Sequence, residues 1–265
     1  MPGLDPERLQ RETAALAAQV DRPQQLLAGL MELLAFYADR TRRPAASVRA
    51  ADTLPAFGAP RPVVRQLSQA LVAALKSHTF DERAAVVDCL WAAEFLEPRL
   101  LAIDLLADAP WAQAAAVCER LAAATQTRTL HRALAERGLA GWRAETYPSM
   151  LESVRRWLTA DDLGLQRLAL GLLQQQVAEV DQRALPSLFG VLTGVAAQLG
   201  GESSRAVRQV LRVLAERNQA ETARFLLDEL RRNNRRPAYQ ALVHDLLPVF
   251  VDPFRQELAL ALSVT

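Results

Sequence analysis

An arginine lies between two glycines on one face of a predicted helix in the stretch from Trp157 to Val177. This face consists of Gly164, Arg167, Gly171 and Gln175. A glycine costs a helix interior roughly 1 kcal/mol relative to alanine, so the pair indicates that something approaches this backbone closely. The approaching group is either a packed helix or a ligand outside the protein. Arg167 is accordingly either a phosphate contact or a member of a surface ion pair.

A second polar face with arginines follows near residue 205. Arg205, Arg208, Gln209 and Arg212 lie opposite an apolar stripe of Val207, Val210, Leu211 and Leu214. Residues 205–236 carry nine arginines against four acidic residues, whereas residues 81–118 carry seven acidic residues against two arginines. Because the net charge is only +1, the chain is not a simple polybasic nucleic-acid binder. Both a solvated helix face and a phosphate-binding face explain the arginines near residue 205.

The composition favours an all-α protein. Hydrophobic residues make up 51% of the 265 residues, only 11 residues are glycine, and β-branched runs are absent. No apolar run reaches the roughly 18 residues needed to span a membrane, so we expect a soluble, cytoplasmic protein. Cys89 and Cys118 lie in apolar helical patterns without metal-ligand spacing, which predicts buried thiols in a reducing compartment. The histidines His78, His131 and His244 are too scattered to bind a metal, and we expect neither a metal nor a cofactor.

Cap residues and apolar periodicity predict a chain of paired helices. We expect caps at Asp5, at the Thr79–Glu82 capping box and at Thr159 with Asp162. The predicted helices cover 5–20, 23–40, 63–77, 81–93, 95–107, 110–124, 127–137, 147–158, 162–178, 184–199, 203–217, 219–232 and 237–248. Two helices occupy about 35–45 residues, a period typical of HEAT-like repeats. The sequence therefore predicts a HEAT-like α-solenoid that forms a single domain over residues 1–265.

Three stretches and one loop resemble the AlkD-like family of HEAT-repeat DNA alkylation-repair glycosylases. The stretches are Leu90–Leu106, Trp157–Leu173 with its L-Q-R-x-A pattern, and Ala206–Asn218, in which L-R precedes an Asn. The loop contains Phe57 and Gly58 before Pro62. Together they extend the resemblance over roughly residues 45–245. Trp157 and Trp91 are expected to anchor the core between repeats.

The resemblance implies that the concave face of the solenoid binds duplex DNA. In that family, two tryptophans and an aspartate line a cleft, and an arginine holds a nearby phosphate. Arg167 matches this arginine. The first cleft tryptophan corresponds to Thr127, the aspartate to His131 and the second tryptophan to Gln209. The candidate DNA contacts are therefore Arg167, Arg208, Arg212, Thr127, Gln209 and Arg128.

The replacement of the aspartate changes the expected chemistry. A carboxylate stabilises the cationic sugar that develops as an alkylated base leaves, whereas a neutral imidazole carries no charge and an imidazolium would repel the cation. His131 remains the one candidate catalytic residue, since it could deprotonate an attacking water. Its alternative is a solvated helix histidine.

These residues favour a family member that binds duplex DNA without the usual catalytic pair. Two alternatives stay open. One is an active glycosylase with a rearranged cleft that excises N3- or N7-methyl purines, and the other is a HEAT-repeat scaffold that binds a protein partner. We expect a monomer.

Overall fold

The computed structural model describes residues 5–38, 54–141, 146–179, 184–193, 201–233 and 237–263. Fourteen α-helices and no strand occur in these ranges, which confirms the all-α prediction. The helices are α1 (Pro6–Ala17), α2 (Pro23–Phe36), α3 (Arg61–Ala74), α4 (Phe80–Trp91), α5 (Leu96–Asp104), α6 (Trp111–Ala123), α7 (Arg128–Ala133), α8 (Tyr147–Thr159), α9 (Leu163–Glu179), α10 (Leu185–Leu192), α11 (Gly201–Arg217), α12 (Gln219–Asn233), α13 (Pro237–Leu246) and α14 (Phe254–Ser263). The sequence did not predict α14.

Local side-chain chemistry explains several helix starts. The Asp5 carboxylate accepts the amides of Glu7 and Arg8 at the start of α1, and the Thr79–Glu82 capping box begins α4. Both caps were predicted.

The predicted start of α9 needs a correction. Asp162 alone caps this helix, because its Oδ1 accepts the amide of Leu165 at 2.9 Å. The hydroxyl of Thr159 instead donates to the carbonyls of Arg155 and Arg156 in the last turn of α8. Thr159 therefore belongs to the end of one helix rather than to the start of the next.

The chain divides into two compact units, Met1–Trp142 and Arg143–Thr265. Each has its own apolar core, with Leu34, Leu67 and Leu101 fully buried in unit 1 and Trp157, Tyr239 and Phe250 fully buried in unit 2. The single domain over residues 1–265 stays a prediction.

A buried carboxylate fastens a loop in unit 1. Glu97, in the first turn of α5, is 6% exposed, and its two oxygens accept the amides of Phe57 and Gly58 at 3.1 and 2.8 Å. Gly58 has a φ of 68°, a conformation that glycine adopts without strain. Phe57 stacks on Phe95 with 4.3 Å between ring centroids. The loop that carries the family-like Phe-Gly pair is thus held against α5.

Unit 2 consists of helical hairpins stacked with a step of 37 residues. Tyr147 at the start of α8 donates to the carbonyl of Ala184, 37 residues later. Ser203 at the start of α11 donates to Gln166 at the start of α9, again 37 residues apart. At the other end, Arg217 of α11 donates to the carbonyl of Val177 of α9. The N-terminal parts of α9 and α11 contact each other, and so do their C-terminal parts. The two helices therefore run parallel, as the second helices of successive hairpins do.

The burial of the predicted anchors and thiols differs within each pair. Trp157 is fully buried, as predicted, whereas Trp91 is partly buried and lies beside the guanidinium of Arg99, so its role as a core anchor stays a prediction. Cys118 is fully buried, whereas Cys89 is only partly buried. Burial raises the pKa of both thiols.

Candidate nucleic-acid interface

The second helices of unit 2 form one layer of side chains. We call it the second-helix surface and define it by Arg167, Gly171 and Gln175 on α9, Arg208 and Arg212 on α11, and Asp245 on α13. The 37-residue step that joins Gln166 to Ser203 also separates Arg208 from Asp245. By the same step, Gly171 on α9 is in register with Arg208 on α11, and Gln175 is in register with Arg212.

Helix α9 contributes Arg167 and the two glycines. It packs between α8 and α11; Gly164 is buried and Gly171 is half-buried. Helix packing therefore accounts for Gly164, whereas Gly171 is less buried and lies one turn after Arg167, whose side chain is partly exposed.

Helix α11 places Arg208 in an ion pair. Its Nη2 lies 2.9 Å from Oδ2 of Asp245, and the two side chains are 36% and 43% exposed. The Nε of Arg208 is buried and has no hydrogen-bond partner. Asp245 lies in the last turn of α13, and it was not among the candidate residues predicted from the sequence. The repeat step could have found it, because the residue 37 positions after Arg208 is an acid.

The remaining candidates on α11 face the solvent. Arg212 lies one turn after Arg208 and is exposed, as are Gln209 and Arg205. The structure therefore places Arg167, Arg208, Gln209 and Arg212 on two adjacent parallel helices of unit 2.

The other three candidates, Thr127, Arg128 and His131, lie at the start of α7 or within it, in unit 1. Arg128 is exposed in the first turn. Thr127 precedes the helix, is 8% exposed, and donates its amide to the hydroxyl of Thr125 at 3.2 Å. Of the unit 1 candidates, only Arg128 presents its charge to the solvent.

His131 is not the solvated histidine that was its alternative. The side chain is 2% exposed, and its Nε2 lies 3.0 Å from the carbonyl of Ala122 on α6. A carbonyl only accepts hydrogen bonds, so Nε2 carries the proton in this contact. This burial excludes bulk solvent from the ring and links α7 to α6.

A π-helical turn, Leu134–Gly138, continues α7, and nothing in the sequence pattern indicated it. At Gly138, an added Cβ would come within 3.0 Å of the Cys118 Sγ and 3.3 Å of Ile103. The glycine thus permits close packing of this turn against α5 and α6.

The candidate residues with exposed or partly exposed side chains are the arginines and Gln209, which can donate hydrogen bonds from guanidinium and amide groups to a ligand. Among the described residues, no group of three His, Cys, Asp or Glu side chains could hold a metal ion. None of the described helices combines the length and hydrophobicity that crossing a membrane requires.

The model of the DNA alkylation repair enzyme family matches residues 30–242. The chain belongs to this family. The match spans most of the chain and includes every candidate residue named above except Asp245, which lies beyond its end. No curated protein and no solved structure matches the chain. Membership of the DNA alkylation repair enzyme family confirms the resemblance seen in the sequence.

Proposed function

We propose that this member of the DNA alkylation repair enzyme family binds duplex DNA through the second-helix surface of unit 2. The observation that carries the proposal is the placement of Arg167, Arg208 and Arg212 on two parallel helices that Ser203 and Gln166 join. Arginine suits phosphate because its planar guanidinium donates several hydrogen bonds in a fixed geometry. Contacts of this kind position a protein on DNA without reading its sequence.

Charge supports unit 2 as the DNA-binding part. The arginine excess of residues 205–236 lies there, and the acid-rich stretch 81–118 lies in unit 1. The step of 37 residues supports HEAT-like hairpins for unit 2.

The proposal includes loss of the family's usual catalytic pair. His131 is buried against α6, where its Nε2 contacts the carbonyl of Ala122. A ring in that position can neither stabilise a cationic sugar by charge nor activate a water from the solvent. Thr127 and Gln209 lack the aromatic surface that would pack against a nucleotide. The protein would then recognise DNA shape and charge as a monomer, without a metal or cofactor.

Two measurements test the proposal. The first is fluorescence anisotropy with a short duplex at two salt concentrations. Phosphate contacts release counterions, so affinity should fall steeply with salt. Arg167→Ala should weaken binding to all sequences alike and flatten the salt slope by about one unit. Arg205→Ala, an exposed arginine on the flank of α11, is the control and should matter less.

The second measurement is release of 7-methylguanine and 3-methyladenine from alkylated duplex DNA. We expect no release above a buffer control. If excision is measured, and if mutation of a candidate residue in unit 1 or unit 2 abolishes it, the alternative of an active glycosylase with a rearranged cleft is established. Absence of salt-dependent binding, or equal behaviour of the two arginine variants, would leave the protein-binding scaffold as the better explanation.

A further inference from the structure

The ion pair between Arg208 and Asp245 connects two neighbouring second helices. Nη2 of Arg208 on α11 and Oδ2 of Asp245 on α13 are 2.9 Å apart. Both side chains are partly exposed, at 36% and 43%, so a ligand from solvent can reach either one. A DNA phosphate and the Asp245 carboxylate are both anions that accept hydrogen bonds from a guanidinium. They would therefore compete for Arg208.

We propose that Asp245 sets the DNA affinity of the protein by holding Arg208 until a phosphate displaces it. This inference rests on the proposed function. Asp245 is a positioning residue, since it acts through Arg208 and would itself repel the DNA backbone. When a phosphate binds, the guanidinium exchanges one anionic partner for another, and the carboxylate is left in water.

The geometry around Arg208 favours this exchange. Its Nε is buried without a hydrogen-bond partner, so the ion pair leaves one donor of the guanidinium group unused. Gly171, in register on α9, adds no side chain of its own, and Arg167 lies one turn before it on the same helix. A phosphate between the two arginines would meet two cations, whereas the carboxylate of Asp245 approaches from α13 alone.

Asp245 lies just beyond the residues that the family model matches. The family match ends at residue 242, and the arginines that precede it lie inside the match. The exposed pair also carries little stabilising energy in itself, because solvent screens a partly exposed ion pair. A change at Asp245 should therefore alter binding more than it alters folding.

The test is Asp245→Asn, which keeps the shape of the side chain and removes its charge. We expect duplex affinity to rise roughly two- to fivefold, the range that corresponds to loss of one competing ion pair. The salt slope should stay close to that of the wild type, since Arg208 neutralises a phosphate in both proteins once DNA is bound. In an Arg208→Ala background, Asp245→Asn should raise duplex affinity no more than the removal of another single negative charge from unit 2 does.

The matched control is Asp228→Asn. Asp228 is a similarly exposed acid on α12, and it pairs with Arg231 at 3.1 Å, away from the second-helix surface. It reports the effect of removing one negative charge from unit 2. Thermal denaturation of each variant checks that the fold is unchanged.

The outcomes separate this inference from the proposed function. If wild type binds with a salt dependence but Asp245→Asn gains no more than Asp228→Asn, the inference is wrong and DNA binding stands. A gain that persists in the Arg208→Ala background would also overturn it. If only Asp245→Asn binds, the carboxylate blocks the site and the inference holds. If neither wild type nor the variant binds duplex DNA, both proposals fail.

Discussion

Arg217 at the end of α11 donates a hydrogen bond to the carbonyl of Val177, 40 residues earlier in the last turn of α9. The last four carbonyls of a helix have no partner within that helix. Arg217 therefore satisfies a backbone group of the preceding hairpin, and its positive charge lies near the negative end of the α9 dipole. One side chain thus links two successive second helices.

Removal of this link should weaken the stack of hairpins in unit 2. We expect Arg217→Ala to lower the free energy of unfolding by about 1–2 kcal/mol, because a hydrogen bond from a charged group is lost and a carbonyl loses its partner. Urea denaturation measures the change. Arg224→Ala, at an exposed arginine whose ion pair with Glu221 is 3.9 Å long, should change stability by less than about 0.5 kcal/mol. Equal effects of the two substitutions would contradict a role for the Val177 contact.

Substitution of His131 should affect folding. The ring is 2% exposed and contacts the backbone of α6. We expect His131→Ala to lower the free energy of unfolding by about 1–3 kcal/mol, through a cavity and the loss of the hydrogen bond to the Ala122 carbonyl. Arg128→Ala on the exposed side of the same helix is the control. A His131→Ala protein as stable as the control would show that the burial of His131 adds nothing to the fold.

Glu97 should control the order of the loop at Phe57 and Gly58. In Glu97→Gln, only one oxygen remains to accept, and the new amide group faces a backbone donor. We expect a loss of about 1–3 kcal/mol and faster hydrogen exchange at the Phe57 and Gly58 amides. Glu94→Gln, at an exposed acid just before α5, is the comparison. Unchanged exchange at both amides would refute the tether.

The two cysteines should differ in reactivity in the folded protein. Burial raises the pKa of both thiols, and Cys118 is fully buried while Cys89 is partly exposed. The thiolate is the reactive form, so a raised pKa leaves less of it at a given pH. We expect slow alkylation of Cys89 that accelerates as the pH rises, and protection of Cys118 until the protein unfolds. A Cys89→Ser protein isolates the second thiol, and rapid labelling of that variant under native conditions would disprove the prediction.

Local interactions explain why much of the helical pattern could be predicted. Asp5 and the Thr79–Glu82 box cap their helices through groups within three residues of each other, so the sequence alone contains the information. Apolar residues at helical spacing likewise identify the buried face of α9, where Leu168 and Leu172 are fully buried. The period of 35–45 residues contains the observed step of 37 in unit 2.

Predictions failed where the contact that places a side chain could not be read from the residues around it in the sequence. Thr159 has the right residue type for a cap, but the carbonyls of the preceding turn compete for its hydroxyl. His131 is polar, and only the packing of α7 on α6 buries it.

The sequence by itself determined that the chain is helical and similar to DNA alkylation repair proteins, because helix periodicity and family motifs are properties of neighbouring residues. Only the tertiary structure decided which charges meet. Arg208 and Asp245 are separated by a full hairpin in the chain, and the parallel stacking of second helices brings them to 2.9 Å. The electrostatics of the second-helix surface depend on that stacking, because the attraction between two charges is governed by their distance in space.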